Sequence, residues 1–291
     1  MRLHFRNERS QLRDGWKSVF FLLACAACFV LVGIVGRLLP PGLKPYAPSA
    51  LLIASLGLLL TWAAVRLEAS RLGGIGLHLD WRFLRQLALG LLAGALLVGA
   101  STALVCAFAG VELVRIEAPA AALQAKLVVM VLCGALFEEL LFRGFAFQRA
   151  VRGMGRWPAI VVFALLFCLA HVPSNLDVET PMLVTAMAGL FVDSVIQSLI
   201  LLRTRSLAVP IGLHAAWNLL QGALGFGVSG ASTSPGWFRP ELGNAPGWLT
   251  GGAYGLEASV FALALQGVLL VWLLGTRQRG SSAVAERAVP A

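Results

Sequence analysis

Charge is what this sequence of 291 residues has least of: 13% of it is Asp, Glu, Lys or Arg, against roughly 25% in an ordinary soluble domain. With 58% hydrophobic residues, that scarcity excludes a soluble globular chain. Alternation of period two is missing too, so the apolar runs do not read as a β-barrel. No internal repeat and no low-complexity segment occurs. No basic stripe with interleaved aromatics is present, so the net charge of +9 does not indicate a nucleic-acid partner. The first apolar segment lacks a small-residue cleavage site, so no cleavable signal peptide is expected, and Arg287–Ala291 carries no lipidation box. Five cysteines, Cys25, Cys28, Cys106, Cys133 and Cys168, all fall in apolar segments. Even the Cys25-x-x-Cys28 pair reads as apolar packing rather than a redox or zinc half-site, and no disulfide framework is expected.

What the sequence has is apolar runs of about 20 residues from end to end, the length that crosses a bilayer as helix. Eight are expected, near 19–39, 47–65, 87–109, from 122 on, 157–172, 182–202, 207–224 and 253–274. The fourth runs into Phe137–Arg143 and is expected to continue as helix to about Ala150. The fold class is therefore all-α: a polytopic membrane protein of about eight transmembrane helices, with a basic tail (1–17), one transmembrane domain (18–274) and a polar tail (275–291). Arginines concentrate in the two tails and in the loops at 66–85, 143–156 and 203–205, while the alternate loops hold most of the loop acids. That alternation places both termini in the cytoplasm. The loop at 225–252 is then extracytoplasmic, with Trp237 and Trp248 at the interface. The Ala, Arg and Leu usage points to a bacterium, hence a multi-pass protein of its inner membrane.

Against this apolar background, Glu138, Glu139 and Arg143 stand out. A charged group at the centre of a membrane helix costs at least about 2.5 kcal/mol, and such groups usually face a polar cavity that does work. Glu139 and Arg143 are four apart and stack on one helix face, where they can pair. Glu138 lies about 100° round the helix, free to point elsewhere. Two further pairs share helix faces, Phe167 with His171 and His214 with Asn218. If the fourth and fifth segments form a hairpin turning near 153–156, Glu138 and His171 each lie about 16 residues from the turn, hence at similar depth. His214 follows Arg205 by nine residues and falls in the same half.

One carboxylate, two imidazoles and an amide can thus meet in one cavity. A carboxylate with an imidazole can hold a water and take its proton, while a second imidazole and an amide N–H can stabilise an oxyanion. Alternatively, Glu138, His171 and His214 match the two-histidine, one-glutamate ligand set of catalytic zinc, although the local H-E-x-x-H pattern is absent.

The block Phe137-Glu138-Glu139-Leu140-Leu141-Phe142-Arg143-Gly144 resembles the first motif of the CPBP intramembrane proteases (the Abi family), which includes the eukaryotic CAAX prenyl endopeptidase and bacterial relatives. Phe167–His171 resembles the second motif and His214–Asn218 the third, in the same order. The similarity covers about residues 85–225. It implies an eight-helix intramembrane endopeptidase in which Glu138 and His171 activate water and His214 and Asn218 form the oxyanion site, supported by Glu139 and Arg143. It implies no cofactor in the favoured reading and zinc in the alternative. The partners are the lipid bilayer and a membrane-embedded or membrane-associated peptide or protein substrate. In a bacterium a peptide precursor fits better than a prenylated protein.

Two other function classes use the same residue types. Intramembrane Glu, His and Asp also build proton-coupled transporters, but paired repeats with broken helices are absent. A catalytically inactive scaffold or immunity protein would not need intact motifs. Asp193, one turn before Gln197, is not explained by the motifs; lining the cavity, pairing with an arginine and sitting deeper at a helix interface are the readings open to it. Phe167 reads as packing, Trp217 as packing or cavity wall, and His4 and His78 as solvated loop residues.

Overall fold

The computed structural model describes residues 12–40, 49–117, 120–172, 179–230 and 236–276. His4, most of the basic tail, Pro41, Gly42, Lys44, Pro119, Pro173, Asp177 and the outer polar tail lie outside the described residues.

Long strings of Leu, Ala, Val and Phe form ten helices among the described residues: α1 (Asp14–Leu38), α2 (Ser49–Leu67), α3 (Trp81–Ala109), α4 (Ala121–Phe142), α5 (Phe145–Met154), α6 (Arg156–Ala170), α7 (Thr180–Thr204), α8 (Ala208–Ala223), α9 (Gly247–Thr250) and α10 (Val260–Gly275). Local signals set several starts. Asp80 accepts the Phe83 N–H at 2.8 Å ahead of α3, Pro181 stands in the first turn of α7, and Ser259 caps α10. Each satisfies or removes an orphan donor of the first turn. Four helices, α1, α2, α3 and α7, are long and apolar enough to cross a membrane, and α6 and α10 are shorter apolar helices. Exposed Leu23, Phe29, Val30, Leu92, Leu96 and Leu165 give α1, α3 and α6 apolar outer faces.

The fourth apolar segment does not continue as helix to Ala150. It stops at Phe142, and a separate amphipathic helix, α5, follows. Gly144 is where the chain breaks: a Cβ there would run into the Leu140 carbonyl. Helix α5 buries Phe145, Ala146, Phe147 and Ala150, with Phe145 against Phe21 of α1 at 5.4 Å between ring centroids. Gln148 Nε2 donates to the Ile75 carbonyl at 2.9 Å. Glu68, at the end of α2, pairs with Arg149 at 2.6 Å and with Lys17 of α1 at 2.9 Å. The end of α4 is therefore fixed from both sides, not carried on a straight hairpin arm.

Two other expectations are corrected. The last apolar segment does not become helical at Ala253. Gly251, Gly252 and Gly255 all have positive φ, so the chain turns, makes one 3-10 turn at Leu256–Ala258, and enters α10 only at Val260. The all-α expectation is met except at 112–115 and 238–241. These segments pair as antiparallel strands β1 (Glu112–Arg115) and β2 (Phe238–Glu241), with Glu112 opposite Glu241 and Arg115 opposite Phe238.

Close backbone packing positions α8. Gly90 and Gly94 of α3 face it, and Gly212 of α8 faces back. A Cβ at Gly90 would strike the Val209 carbonyl, one at Gly94 the Leu213 carbonyl, and one at Gly212 the Leu87 carbonyl. Small residues spaced by four let membrane helices approach this closely. The consequence is local: Leu213 and its neighbour His214 are held on a backbone that cannot slide.

Candidate active site

The last turn of α4 carries both carboxylates, and the structure gives them different surroundings. Glu139 and Arg143 are fully buried and bond at 3.0 Å, Arg143 Nη1 donating to Glu139 Oε1. The same Oε1 accepts from His214 Nδ1 at 2.9 Å. The Arg143 guanidinium also lies 4.7 Å from the centre of the Phe167 ring, a cation–π distance. A buried charge is tolerated when it is paired in this way.

Glu138 Oε2 makes no hydrogen bond among the described residues. It lies 3.5 Å from His171 Nε2 and 3.7 Å from His214 Nε2. The far nitrogen of each ring fixes what these contacts mean. His171 Nδ1 is 2.8 Å from the Phe167 carbonyl, which can only accept, so Nδ1 carries the hydrogen. His214 Nδ1 carries one for the same reason, facing the Glu139 carboxylate. In the neutral rings both Nε2 atoms are then lone-pair acceptors. Three acceptors converge on one point, an arrangement that suits a donor such as water.

His171 ends α6 as its C-terminal cap. Its ring stacks on Phe167 at 4.3 Å, and Phe167 meets Phe142 edge-on at 5.0 Å. Phe167 packs as expected, buried in the core, and its ring touches both His171 and Arg143. From the other side, Tyr254 Oη donates to the His171 carbonyl at 2.9 Å. Burial, with the Glu257 carboxylate nearby, pushes the Tyr254 phenol above its ordinary range.

His171, His214 and Asn218 line one open cleft together with Trp217, Asp193 and Glu257. Asn218 follows His214 by one turn of α8, and its amide makes no hydrogen bond among the described residues. Glu138, 27% exposed, is not part of this lining and borders the two imidazoles from the α4 side. Asp193 does line the cleft, and its Oδ2 accepts from Gln197 Nε2 at 3.1 Å. His78 is exposed, and the five cysteines are unpaired.

One polar residue escaped the sequence reading. Glu257 is 5% exposed and accepts from Trp217 Nε1 at 3.1 Å, Gln221 Nε2 at 2.6 Å, Ser229 N at 2.6 Å and Ser229 Oγ at 2.8 Å. Its signal was present: an acid inside an apolar segment, with Trp217 and Gln221 four apart on one face of α8. It ties α8 to the loop after it and to the approach to α10.

No three His, Cys, Asp or Glu side chains form a ready metal cluster among the described residues; the zinc alternative on Glu138, His171 and His214, spaced at 3.5 and 3.7 Å, is decided by the chelation experiment below, and no step below runs through a metal.

Residues 120–220, about a third of the chain, match the family model described as type II CAAX prenyl endopeptidase Rce1-like. All three motifs lie within that stretch, so the resemblance read from them holds there. The matched family is one of peptidases, and the match together with the apolar helices points to an integral membrane protein. Comparison with curated proteins finds no match.

Proposed function

We propose that this chain, whose residues 120–220 carry the Rce1-like core, is an intramembrane endopeptidase in which Glu138 and His171 activate the attacking water. The observation that carries this reading is the approach of Glu138 Oε2 to two imidazole Nε2 atoms, at 3.5 and 3.7 Å. A water between them can donate to the carboxylate and to His171 Nε2, leaving its lone pair for a peptide carbonyl. As the oxygen–carbon bond forms, the water's proton passes to Glu138 or His171. The carbonyl π electrons move onto the oxygen, which becomes the oxyanion.

Asn218 supplies a neutral N–H donor to that oxyanion. His214 can supply a second if Nε2 also carries a proton, and the Glu139 carboxylate at Nδ1 is placed to balance that charge. Arg143 holds Glu139 in place. Collapse of the intermediate breaks the C–N bond, and the proton taken from water goes to the leaving amine. Each step uses groups of the chain alone.

In this reading the eight membrane helices are α1, α2, α3, α4, α6, α7, α8 and α10, with α5 along the interface and both termini cytoplasmic. The substrate is a membrane-embedded or membrane-associated peptide of a bacterial inner membrane. The test is Glu138→Gln in purified, folded protein. Cleavage of a membrane peptide substrate should fall by about 10²–10⁴-fold, the contribution of a general base. Cleavage within a few-fold of the parent would remove Glu138 from the mechanism.

A further inference from the structure

The cleft holds or borders four carboxylates, and they are not equally provided for. Glu257 accepts from four donors. Glu139 has Arg143 and His214. Glu138 faces two imidazoles. Asp193 has one neutral amide, Gln197 Nε2 at 3.1 Å, and no cation within ion-pair distance among the described residues. It stands mid-way along α7, within a predicted membrane span, where an uncompensated carboxylate is costly.

Two further atoms point the same way. Gln197 is 1% exposed, and its Oε1 is buried without a partner. Its orientation is fixed, because only the amide nitrogen can serve the Asp193 carboxylate. Gln266, 4% exposed and facing Gly189 from α10, also buries an Oε1 without a partner. Both side chains line the cleft beside Asp193. This side of the cleft thus holds an Asp193 carboxylate with one side-chain donor and two glutamine carbonyls with none. Buried acceptors are normally satisfied, and the group that would satisfy these brings several N–H bonds and a positive charge.

We propose that Asp193, with Gln197 and Gln266, forms a subsite for a lysine or arginine side chain of the peptide substrate. The proposal rests on the peptidase reading of the same cleft. The cation would bond the free Asp193 oxygen and the glutamine carbonyls, while the neighbouring peptide bond lies toward His214 and Asn218.

The experiment uses the full chain in phospholipid nanodiscs and internally quenched peptides that differ at one position, filled with Lys, Arg, norleucine or Glu and scanned through the sequence. Cleavage is measured as kcat/KM. Binding of the same peptides to Glu138→Gln is followed in parallel by fluorescence anisotropy, so that the subsite is read without hydrolysis. At one position Lys and Arg should exceed norleucine by about tenfold or more, the scale of one well-placed charged pair. Asp193→Asn should bring that ratio close to 1, and Asp193→Glu should keep it. Should the Asn variant fail to fold, the wild-type ratio and the Glu variant still decide. No position preferring a basic residue, or a preference that survives Asp193→Asn, overturns the subsite. Basic peptides that bind by preference yet are never cleaved would leave the subsite standing and remove the peptidase reading.

Discussion

Glu257 receives hydrogen bonds from Trp217, Gln221 and both the N–H and hydroxyl of Ser229, whereas Glu138 Oε2 receives none. Both are carboxylates set in an apolar helical protein, and both bear on α8 and its cleft. The first is saturated by neutral donors, and its bonds join α8, the loop at 226–230 and the start of α10. The second is placed against two ring nitrogens whose hydrogens are committed elsewhere. Saturation makes a carboxylate a fastener; withheld donors leave it able to accept a proton from something that enters. Glu139 stands between the two cases: its Oε1 takes both Arg143 and His214, while its Oε2 is buried without a partner among the described residues.

The contrast can be broken or sharpened by substitution. The largest effect is expected for Glu138→Gln, with activity falling by about 10²–10⁴-fold while the unfolding temperature in detergent stays near the parent's. Glu139→Gln comes next. It leaves the buried Arg143 guanidinium without its counter-charge, which costs about 3–5 kcal/mol, and thermal unfolding should report it. Glu257→Gln should be milder, about 1–3 kcal/mol for disturbed buried hydrogen bonds, with activity per folded molecule falling much less than in the Glu138 variant. The smallest effect is expected from chelation: EDTA or 1,10-phenanthroline should change activity by no more than about twofold, because the proton transfers are assigned to side chains. Loss on chelation that zinc restores would replace the water-on-glutamate account with a metal one.

Much of the motif cluster was legible because helix geometry does not depend on the rest of the fold. Residues four apart share a face, so Glu139 had to be near Arg143, and Glu138 had to point elsewhere. The ionisable groups were legible because hydrocarbon makes each one conspicuous. The break at Gly144 was hidden because Phe145, Phe147 and Ala150 continue the apolar pattern, and only the three-dimensional clash with Leu140 ends the helix. The depth argument leaned on a straight hairpin that the break removes, yet Glu138 and His171 still meet. The pairing of 112–115 with 238–241 joins segments far apart in sequence, which no local pattern encodes. Glu257 was overlooked because its donors come from α8 and from Ser229. Phe167 was legible as packing, and it is buried in the core; that its ring lies between an imidazole and a guanidinium is set by three helices and shows in none of them alone.

The central claim is that the unsaturated carboxylate reacts and the saturated one only fastens. It is tested most directly by assaying Glu138→Gln and Glu257→Gln side by side on one membrane peptide substrate, each normalised to the folded fraction. The account predicts that the Glu138 variant is slower than the Glu257 variant by about a hundredfold or more. Equal rates, or a Glu138 variant that cleaves as well as the parent, would contradict it.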